Sequence, residues 1–279
     1  MDYFSLLKLA IESAIKAGEE ILKIYDTNFT VGTKQDSTPV TKADLAASNS
    51  IINSLAPSQI NVLSEEGIIY DYELRKNWKQ LWIVDPLDGT KEFVKRNGEF
   101  TVNIALIENQ KPVIGVIYSP VSRELYYACI NSGSFKINGH AVLLQTNSRQ
   151  INIDSLIEAS QKLPLQNYPK AYTIVASRSH LSKEVSERIS KSKLRHNLVN
   201  IINTGSSIKF CRIAEGLAHE YPRFGVTMEW DTAAGQCIIE QTGGKVLDLS
   251  TNEPMKYNRE NLQNNNFIAY CTNNNLDKI

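Results

Sequence analysis

Apolar positions near the N-terminus recur every three or four residues and predict a long amphipathic helix. Asp2 stands where the N-cap of this helix belongs. A second helix is expected from Lys42 to Leu55, because Pro57 disfavours helical backbone at the residue before it. The apolar stripe of the first helix consists of Phe4, Leu7, Ile11, Ala14, Gly18, Ile21 and Tyr25.

Short apolar runs bounded by turn residues predict strands in the segment that follows. A strand at 60–64 runs directly into an acidic pair, and an apolar strand at 81–84 ends at Asp85. Between them, 68–80 has no clear period and is expected to be a mobile surface excursion. Three further runs and a hairpin have short connections, which favour antiparallel pairing. They lie at 100–107, 113–118, 124–130 and 133–139.

Strands and helices alternate in the second part of the chain, which is typical of an α/β arrangement. The pattern weakens between 141 and 170. We therefore expect an α+β N-terminal half at 1–145 and an α/β C-terminal half at 146–279. Strands are predicted at 172–176, 198–202, 245–249 and 267–270, and helices at 182–192, 206–217 and 231–242.

Charge and cysteine content narrow the class of partner. Thirty basic residues balance thirty acidic ones, so net charge gives no argument for nucleic-acid or acidic-membrane binding. The four cysteines are far apart and form no zinc or disulfide pattern, and neither a signal peptide nor a membrane-spanning run is visible. We expect a cytoplasmic protein with a small-molecule ligand; the oligomeric state and peripheral attachment at the inner face of the cell membrane stay open.

The string DPLDGT at 85–90 carries the clearest chemistry. Asp85 and Asp88 straddle a tight turn, and the Leu87 carbonyl between them can face the same point. Three hard oxygen donors in one turn suit magnesium, and the amides of Gly89 and Thr90 can bind an anion. The alternative is a structural turn at the end of a strand.

Three other carboxylates stand at the ends of predicted elements. Glu65 follows the strand at 60–64, Asp231 stands where a helix N-cap belongs, and Asp44 lies in the first turn of the second helix. Solvation, capping and dipole compensation explain each of them separately. The small residues at 233–235 indicate that the helix following Asp231 packs tightly against another element.

Together these motifs resemble one family, the lithium-sensitive, magnesium-dependent inositol monophosphatase-like phosphatases. DPLDGT at 85–90 and WDTAAG at 230–235 are similar to the two signatures of that family, and GSFKING at 133–139 has the expected place between them. The resemblance covers nearly the whole chain and implies a layered αβαβα sugar-phosphatase fold. It also implies a site at the junction of the two halves.

A narrower resemblance is to 3'(2'),5'-bisphosphate nucleotidases of the CysQ type. The segments that carry it are SRSH at 177–180, GSSIKFC at 205–211, AEG at 214–216, YPR at 221–223 and EWDTAAGQ at 229–236. It implies hydrolysis of the 3'-phosphate of adenosine 3',5'-bisphosphate to AMP, and action on 3'-phosphoadenylyl sulfate, during sulfur assimilation. Alternatives are an inositol monophosphatase, a fructose-1,6-bisphosphatase-like enzyme, or a non-catalytic nucleotide- or metal-binding regulator.

The resemblance also implies roles for individual residues. Two or more Mg²⁺ ions would be held by Glu65, Asp85, the Leu87 carbonyl, Asp88 and Asp231, with Asp85 bridging. Thr90 and Asp44, assisted by Glu65, would orient and deprotonate the attacking water, a pair for which a mere binder has no use. Substrate contacts would come from Glu65, Leu87, Asp88, Gly89, Thr90, Arg178, His180, Ser206, Lys209 and Asp231.

Within that substrate set, Arg178 and Lys209 are the candidates for the phosphate that is not cleaved. His180 and Ser206 would lie near the ribose or the base. The alternative for the two cations is solvated surface charge at helix starts.

Overall fold

The computed structural model describes residues 1–33, 39–138, 152–166, 169–178 and 182–271. Helices α1 (Tyr3–Tyr25) and α2 (Lys42–Leu55) have the predicted extents, and β1 (Val31–Thr33) pairs antiparallel with β2 (Pro39–Thr41) between them. Asp2 caps α1 as expected, because its Oδ1 accepts a hydrogen bond of 2.9 Å from Ser5 N. The expected apolar stripe is wrong at one end: Phe4 is 45% exposed.

A seven-stranded sheet fills the next part of the chain, and its strands lie in sequence order from β3 to β9. Strands β3 and β4 are parallel, and every later pair is antiparallel as the short connections predict. The elements are β3 (Val62–Ser64), α3 (Tyr72–Arg75), β4 (Gln80–Asp88), α4 (Thr90–Val94), β5 (Thr101–Glu108), β6 (Lys111–Ser119), β7 (Glu124–Cys129), β8 (Gly133–Asn138), α5 (Ile153–Ala159) and β9 (Gln161–Lys162).

Strand β4 departs from the sequence expectation at its end. It was expected to end at Asp85, but it continues to Asp88. Asp85 pairs with Asn103 and Asp88 with Thr101, and the register shifts between these two pairs. Such an irregularity adds backbone on one strand and re-aims side chains, which is how two carboxylates three residues apart are presented at one end of the sheet.

A six-stranded sheet forms from the remainder of the chain, in the order β11-β10-β12-β15-β13-β14. Strand β10 is parallel to both of its neighbours, β11 and β12. Strand β12 was not anticipated from the sequence. The elements are β10 (Tyr172–Ser177), α6 (Lys183–Arg195), β11 (Val199–Thr204), α7 (Ile208–Ala214), β12 (Glu220–Arg223), α8 (Glu229–Glu240), β13 (Lys245–Asp248), β14 (Glu253–Pro254) and β15 (Phe267–Tyr270).

The two sheets and the helices form five layers. Ile11 of α1 packs in one core with Trp82 of β4, and Ile238 of α8 packs in a second core with Ile83. Neighbouring residues of β4 therefore face different cores, which is why its apolar run is continuous rather than alternating. Ile189 of α6 covers the outer face of the smaller sheet. The order helix, sheet, helix, sheet, helix confirms the fold class expected from the motifs.

The predicted boundary at 145/146 lies outside the described residues, and the division into halves stays a prediction. Leu156 of α5 is buried in the core beneath the larger sheet, and β9 pairs with β8. The chain therefore leaves the larger sheet only after Lys162. All four cysteines fall within the described ranges; they are buried, and none forms a disulfide.

Candidate active site

Three carboxylates from distant parts of the chain meet between the two sheets. The ligand oxygens of Glu65, Asp85 and Asp231 all lie within 4.8 Å of one another. Parallel pairing of β3 with β4 places Glu65 beside Asp85, and Glu65 N donates a hydrogen bond of 3.2 Å to Val84 O. Asp231 arrives from the first turn of α8. Carboxylates this close repel one another unless a cation or protons balance them.

Burial and mutual repulsion raise the pKa values of these groups. Burial is the main cause of the rise in the pKa of Asp85, to which the charges of Glu65, Asp88 and Asp231 add. Burial, together with the charges of Asp88 and Glu65, raises the pKa of Asp231 to about 8, and burial also raises the pKa of Asp88. Because the described residues that converge here offer only oxygen donors, the cluster has the composition of a magnesium site.

Asp231 is placed by its backbone and by tight packing of α8. The expectation that Asp231 is the N-cap is wrong: the helix begins at Glu229, and Asp231 Oδ2 accepts a hydrogen bond of 2.8 Å from Met228 N. A Cβ on Gly235 would lie 2.3 Å from Cγ of Phe210. The small residues at 233–235 therefore do reflect close packing, as expected, and α8 cannot move away from α7 without losing this contact.

Asp44 and Thr90 are hydrogen-bonded to each other next to the metal loop. Thr90 Oγ1 lies 3.2 Å from Asp44 Oδ1 and 3.4 Å from the Leu87 carbonyl oxygen. The other carboxylate oxygen of Asp44 accepts hydrogen bonds of 2.7 Å from both the N–H and the hydroxyl of Thr41. Asp44 is 2% exposed, and burial raises its pKa. The carboxylate is thus fixed by Thr41, with one oxygen directed at Thr90.

A cavity of about 160 Å³ opens beside these carboxylates. Gly89 lies at its edge with φ 93°, and a Cβ there would lie 3.2 Å from Glu99 O. Its lining combines acidic, cationic, hydroxyl and aromatic side chains, namely Asp88, Gly89, Glu92, Ser177, Ser206, Ser207, Lys209, Phe210, Tyr221, Arg223, Thr227, Asp231, Thr232 and Phe267.

Two cations line this cavity. Lys209 is 7% exposed, and its Nζ donates a hydrogen bond of 2.5 Å to Ser206 O. Burial lowers the pKa of Lys209 to about 8. Arg223 donates from Nη2 to Val226 O at 3.1 Å, while its buried Nε has no partner among the described residues. Arg223 was missed as a site residue; its only signal in the sequence was the YPR motif, to which no role was attached.

Of the three other residues predicted to bind the nucleotide, Arg178, His180 and Ser206, the structure places only Ser206 in the lining of the cavity. Arg178 is 49% exposed and makes two hydrogen bonds of 2.7 Å to the carboxylate of Glu99. It does not line the cavity, so its role in binding phosphate stays a prediction. His180 lies outside the described residues. Ser206 does line the cavity, and its Oγ lies 3.3 Å from Thr101 Oγ1.

Asn103 and Ser207 support Asp88 and were not anticipated. Ser207 Oγ donates a hydrogen bond of 2.7 Å to Asn103 Oδ1, and Asn103 Nδ2 lies 3.4 Å from Asp88 Oδ2. Thr101 Oγ1 lies 2.7 Å from Ser207 Oγ. Asn103 and Thr101 sit inside β5, whose sequence is that of an ordinary buried strand, so no local signal marks them.

Known proteins match this chain over almost its full length. Residues 2–278 match the model of the Inositol monophosphatase family. The chain is 42% identical over 260 residues to the 3'(2'),5'-bisphosphate nucleotidase CysQ of Salmonella typhimurium, covering 89% of this chain and 95% of that protein. It is 40% identical over 268 residues to the protein of the same name from Escherichia coli K12, covering 94% and 98%.

Solved structures give the same result for the fold. The crystal structure of CysQ from Bacteroides thetaiotaomicron, described as a bacterial member of the inositol monophosphatase family, superposes with a TM-score of 0.89 at 45% identity. The match covers 98% of this chain and 99% of that one. An inositol monophosphatase from Thermotoga maritima shares the fold at 22% identity, with a TM-score of 0.72. The resemblance seen in the motifs is confirmed.

No helix in the described ranges is long and apolar enough to cross a membrane.

Proposed function

Because the chain belongs to the inositol monophosphatase family, we propose that it is a magnesium-dependent 3'(2'),5'-bisphosphate nucleotidase. It hydrolyses the 3'-phosphate of adenosine 3',5'-bisphosphate to give AMP and phosphate, and it also accepts 3'-phosphoadenylyl sulfate. Through this reaction it takes part in the recycling of these two substrates during sulfur assimilation, in the cytoplasm. One observation carries the proposal: the cavity is lined by two of the acidic residues, Asp88 and Asp231, and by the two cations Lys209 and Arg223, a charge pattern that fits a metal-bound ligand with two phosphates.

The donor set fits magnesium. Four carboxylates, those of Glu65, Asp85, Asp88 and Asp231, and the Leu87 carbonyl are all hard oxygen ligands, and the set contains no nitrogen or sulfur donor. These residues would hold two or more Mg²⁺ ions, which would neutralise charge on the phosphoryl oxygens and on the leaving oxygen. Lithium inhibition is expected by analogy with the family.

Thr90 and Asp44 act on the attacking water. The Thr90 hydroxyl donates to Asp44 Oδ1, and Thr41 holds the opposite carboxylate oxygen. Burial raises the pKa of Asp44, which makes its carboxylate a better proton acceptor near neutral pH. The water proton passes to Thr90 Oγ1 as the Thr90 proton moves to Asp44 Oδ1. The water oxygen then bonds to phosphorus as the bond to the 3'-oxygen breaks. The 3'-oxygen leaves as an alkoxide and takes a proton from a solvent water, and Asp44 returns its proton to solvent.

Lys209 and Arg223 bind the phosphate that is not cleaved. Lys209 is buried, and the negative charge of Asp88 favours its protonated form. Arg223 is the last residue of β12 and lines the same cavity, and its Nε has no partner in the described part of the chain. A phosphate oxygen would satisfy this donor. An inositol monophosphate carries only one phosphate and would leave this pair unused.

The test compares substrates that differ in the second phosphate. We expect kcat/KM for adenosine 3',5'-bisphosphate to exceed that for adenosine 3'-monophosphate and, by a larger margin, that for inositol 1-phosphate. Lys209→Met should remove much of the advantage of the bisphosphate over the 3'-monophosphate and leave turnover of the latter nearly unchanged.

Three results would contradict the proposal. A kcat/KM for inositol 1-phosphate that equals or exceeds the kcat/KM for adenosine 3',5'-bisphosphate would favour the inositol monophosphatase alternative. Full activity in excess chelator would refute the metal requirement. Nucleotide binding without any phosphate release in magnesium would favour a non-catalytic regulator.

A further inference from the structure

Arg75 is a buried arginine outside the cavity, in the segment that joins Glu65 to β4. This segment was expected to be a mobile surface excursion, but Arg75 is only 2% exposed. Its Nε donates to Tyr70 O at 3.2 Å within the segment. Its Nη1 donates to Asn258 Oδ1 and its Nη2 to Glu260 O, both at 2.9 Å. The arginine therefore ties the segment after Glu65 to a loop more than 180 residues away in sequence.

Glu229 is a buried acid that contacts the same loop, the one that contains Asn258 and Glu260, from the side of α8. It is the first residue of α8, it is 0% exposed, and it stands two positions before Asp231. Its carboxylate accepts hydrogen bonds from Asn258 N at 2.6 Å, from Arg259 N at 3.0 Å and from Arg259 Nε at 3.1 Å. These donors leave the carboxylate little freedom, so the first turn of α8 is held against the loop.

Asn258 joins the two sides. Its side chain accepts from Arg75 Nη1 and donates to Arg75 O at 2.7 Å, while its backbone N–H donates to Glu229. Arg75, Asn258 and Glu229 thus form a continuous hydrogen-bonded bridge. At one end lies the segment that begins at Glu65, and at the other lies the helical turn that carries Asp231.

We propose that Arg75, Asn258 and Glu229 are positioning residues that set the separation between Glu65 and Asp231 and thereby the affinity of the site for Mg²⁺. The inference rests on the proposed function, because it takes the carboxylate cluster to be the magnesium site. Glu65 follows β3 of the larger sheet, and Asp231 lies in the first turn of α8, with 165 residues of chain between them. The body of α8 packs on the larger sheet, where Ile238 shares a core with Ile83, and the bridge holds its first turn. The bridge provides a hydrogen-bonded connection between the segment after Glu65 and the helical turn that carries Asp231. Residues that hydrogen-bond directly to metal ligands alter metal affinity by about 10- to 100-fold, and the bridge acts one step further out, through the backbone that carries the ligands.

Lys136 offers a matched control. It is 6% exposed, and it forms ion pairs with the half-buried Glu124 of β7 and with the buried Glu215 immediately after α7. Like the bridge, this network joins the larger sheet to the helices between the sheets. Its described contacts lead to none of the carboxylates in the cluster, so its loss should lower stability without changing the arrangement of the metal ligands.

The experiment measures magnesium binding directly. Calorimetric titration of MgCl₂ into the full-length protein is compared for wild type, Arg75→Met and Lys136→Met at a temperature where circular dichroism shows all three folded. We expect Arg75→Met to raise the Kd for Mg²⁺ about 10-fold, the lower end of the effect of residues that support metal ligands directly. The Mg²⁺ concentration for half-maximal activity should rise in parallel, while KM for the nucleotide at saturating Mg²⁺ stays within about two-fold, because Arg75 does not line the cavity.

Lys136→Met should lower Tm but keep the wild-type Kd. If Arg75→Met also lowers Tm and keeps the wild-type Kd, the bridge is only structural and the inference is overturned.

A second variant covers the case in which Arg75→Met does not fold. Asn258 has φ 61°, which glycine adopts without strain. Asn258→Gly removes both side-chain contacts with Arg75 and keeps the N–H that donates to Glu229. It should raise the Kd in the same direction, and an unchanged Kd would overturn the inference. Wild-type protein that binds no Mg²⁺ would overturn the proposed function itself. If the wild type does bind Mg²⁺, the comparison of its Kd with those of the variants tests only the role of the bridge.

Discussion

Replacing Thr90 with alanine removes one hydroxyl from the proposed water-activating pair and little else. The hydroxyl lies 3.2 Å from Asp44 Oδ1 and 3.4 Å from Leu87 O, so both contacts are long. Asp44 keeps its two hydrogen bonds from Thr41 after the substitution. The free energy of unfolding should therefore fall by no more than about 1 kcal/mol, the net contribution of one ordinary hydrogen bond.

The effect on turnover should be much larger than the effect on stability. Loss of a positioned proton acceptor typically lowers rates by about 10²- to 10⁴-fold, so we expect kcat of Thr90→Ala to fall by at least about 10²-fold. This corresponds to about 2.7 kcal/mol of transition-state stabilisation. The Kd for Mg²⁺ and the Kd for the nucleotide should change by only a few-fold, because the charged ligands and the cations of the cavity are untouched.

Steady-state kinetics with adenosine 3',5'-bisphosphate give kcat, and calorimetric titration gives both affinities. Thr90→Ser is the matched control, because it keeps the hydroxyl and removes only a methyl group; it should retain most of the wild-type kcat. Near-normal kcat in Thr90→Ala would show that the hydroxyl merely stabilises the start of α4 and that the assigned role is wrong. A large rise in the Kd for Mg²⁺ would instead make Thr90 part of the metal site.

Two further predictions concern charge in the site. Asp88→Asn should weaken Mg²⁺ binding as well as turnover, because it removes a charged ligand; an unchanged calorimetric Kd would exclude Asp88 from the metal site. The pKa of Lys209 is lowered to about 8 by burial, so its positive charge is lost as pH rises through that value. KM for adenosine 3',5'-bisphosphate should therefore rise above pH 8 in the wild type but stay flat in Lys209→Met, and parallel profiles would show that another group is titrating.

Local signals were sufficient for the elements that depend on neighbouring residues. Helix α2 has the predicted bounds of Lys42 and Leu55 because a following proline marks its end within a few positions. The structure adds that Thr41 caps its start. Phe4 shows the limit of the same reasoning: the period gives the apolar face of α1, but it does not say how far the neighbouring layer extends over that face.

The site was predictable only in part, because sequence motifs identify the acidic residues but not the residues that contact them in the folded protein. The DPLDGT and WDTAAG motifs identified the acidic groups, and the structure brings three of the predicted ligands, Glu65, Asp85 and Asp231, within 4.8 Å of one another. Their assignment as metal ligands stays a prediction. Asn103 and Arg223 were missed because an asparagine inside a strand and an arginine at the end of a short one have no distinctive local pattern.

The sequence by itself determined the secondary structure of the longest elements, the family and the identity of the acidic groups. Only the tertiary structure decided that β4 continues through Asp85, that Lys209 is buried beside Asp88, and that Arg75 reaches Asn258. The physical reason is the range of the interactions. Caps, turns and periodic apolar faces depend on residues a few positions apart, whereas strand registers, buried ion contacts and the approach of Asp231 to Glu65 depend on how distant layers pack.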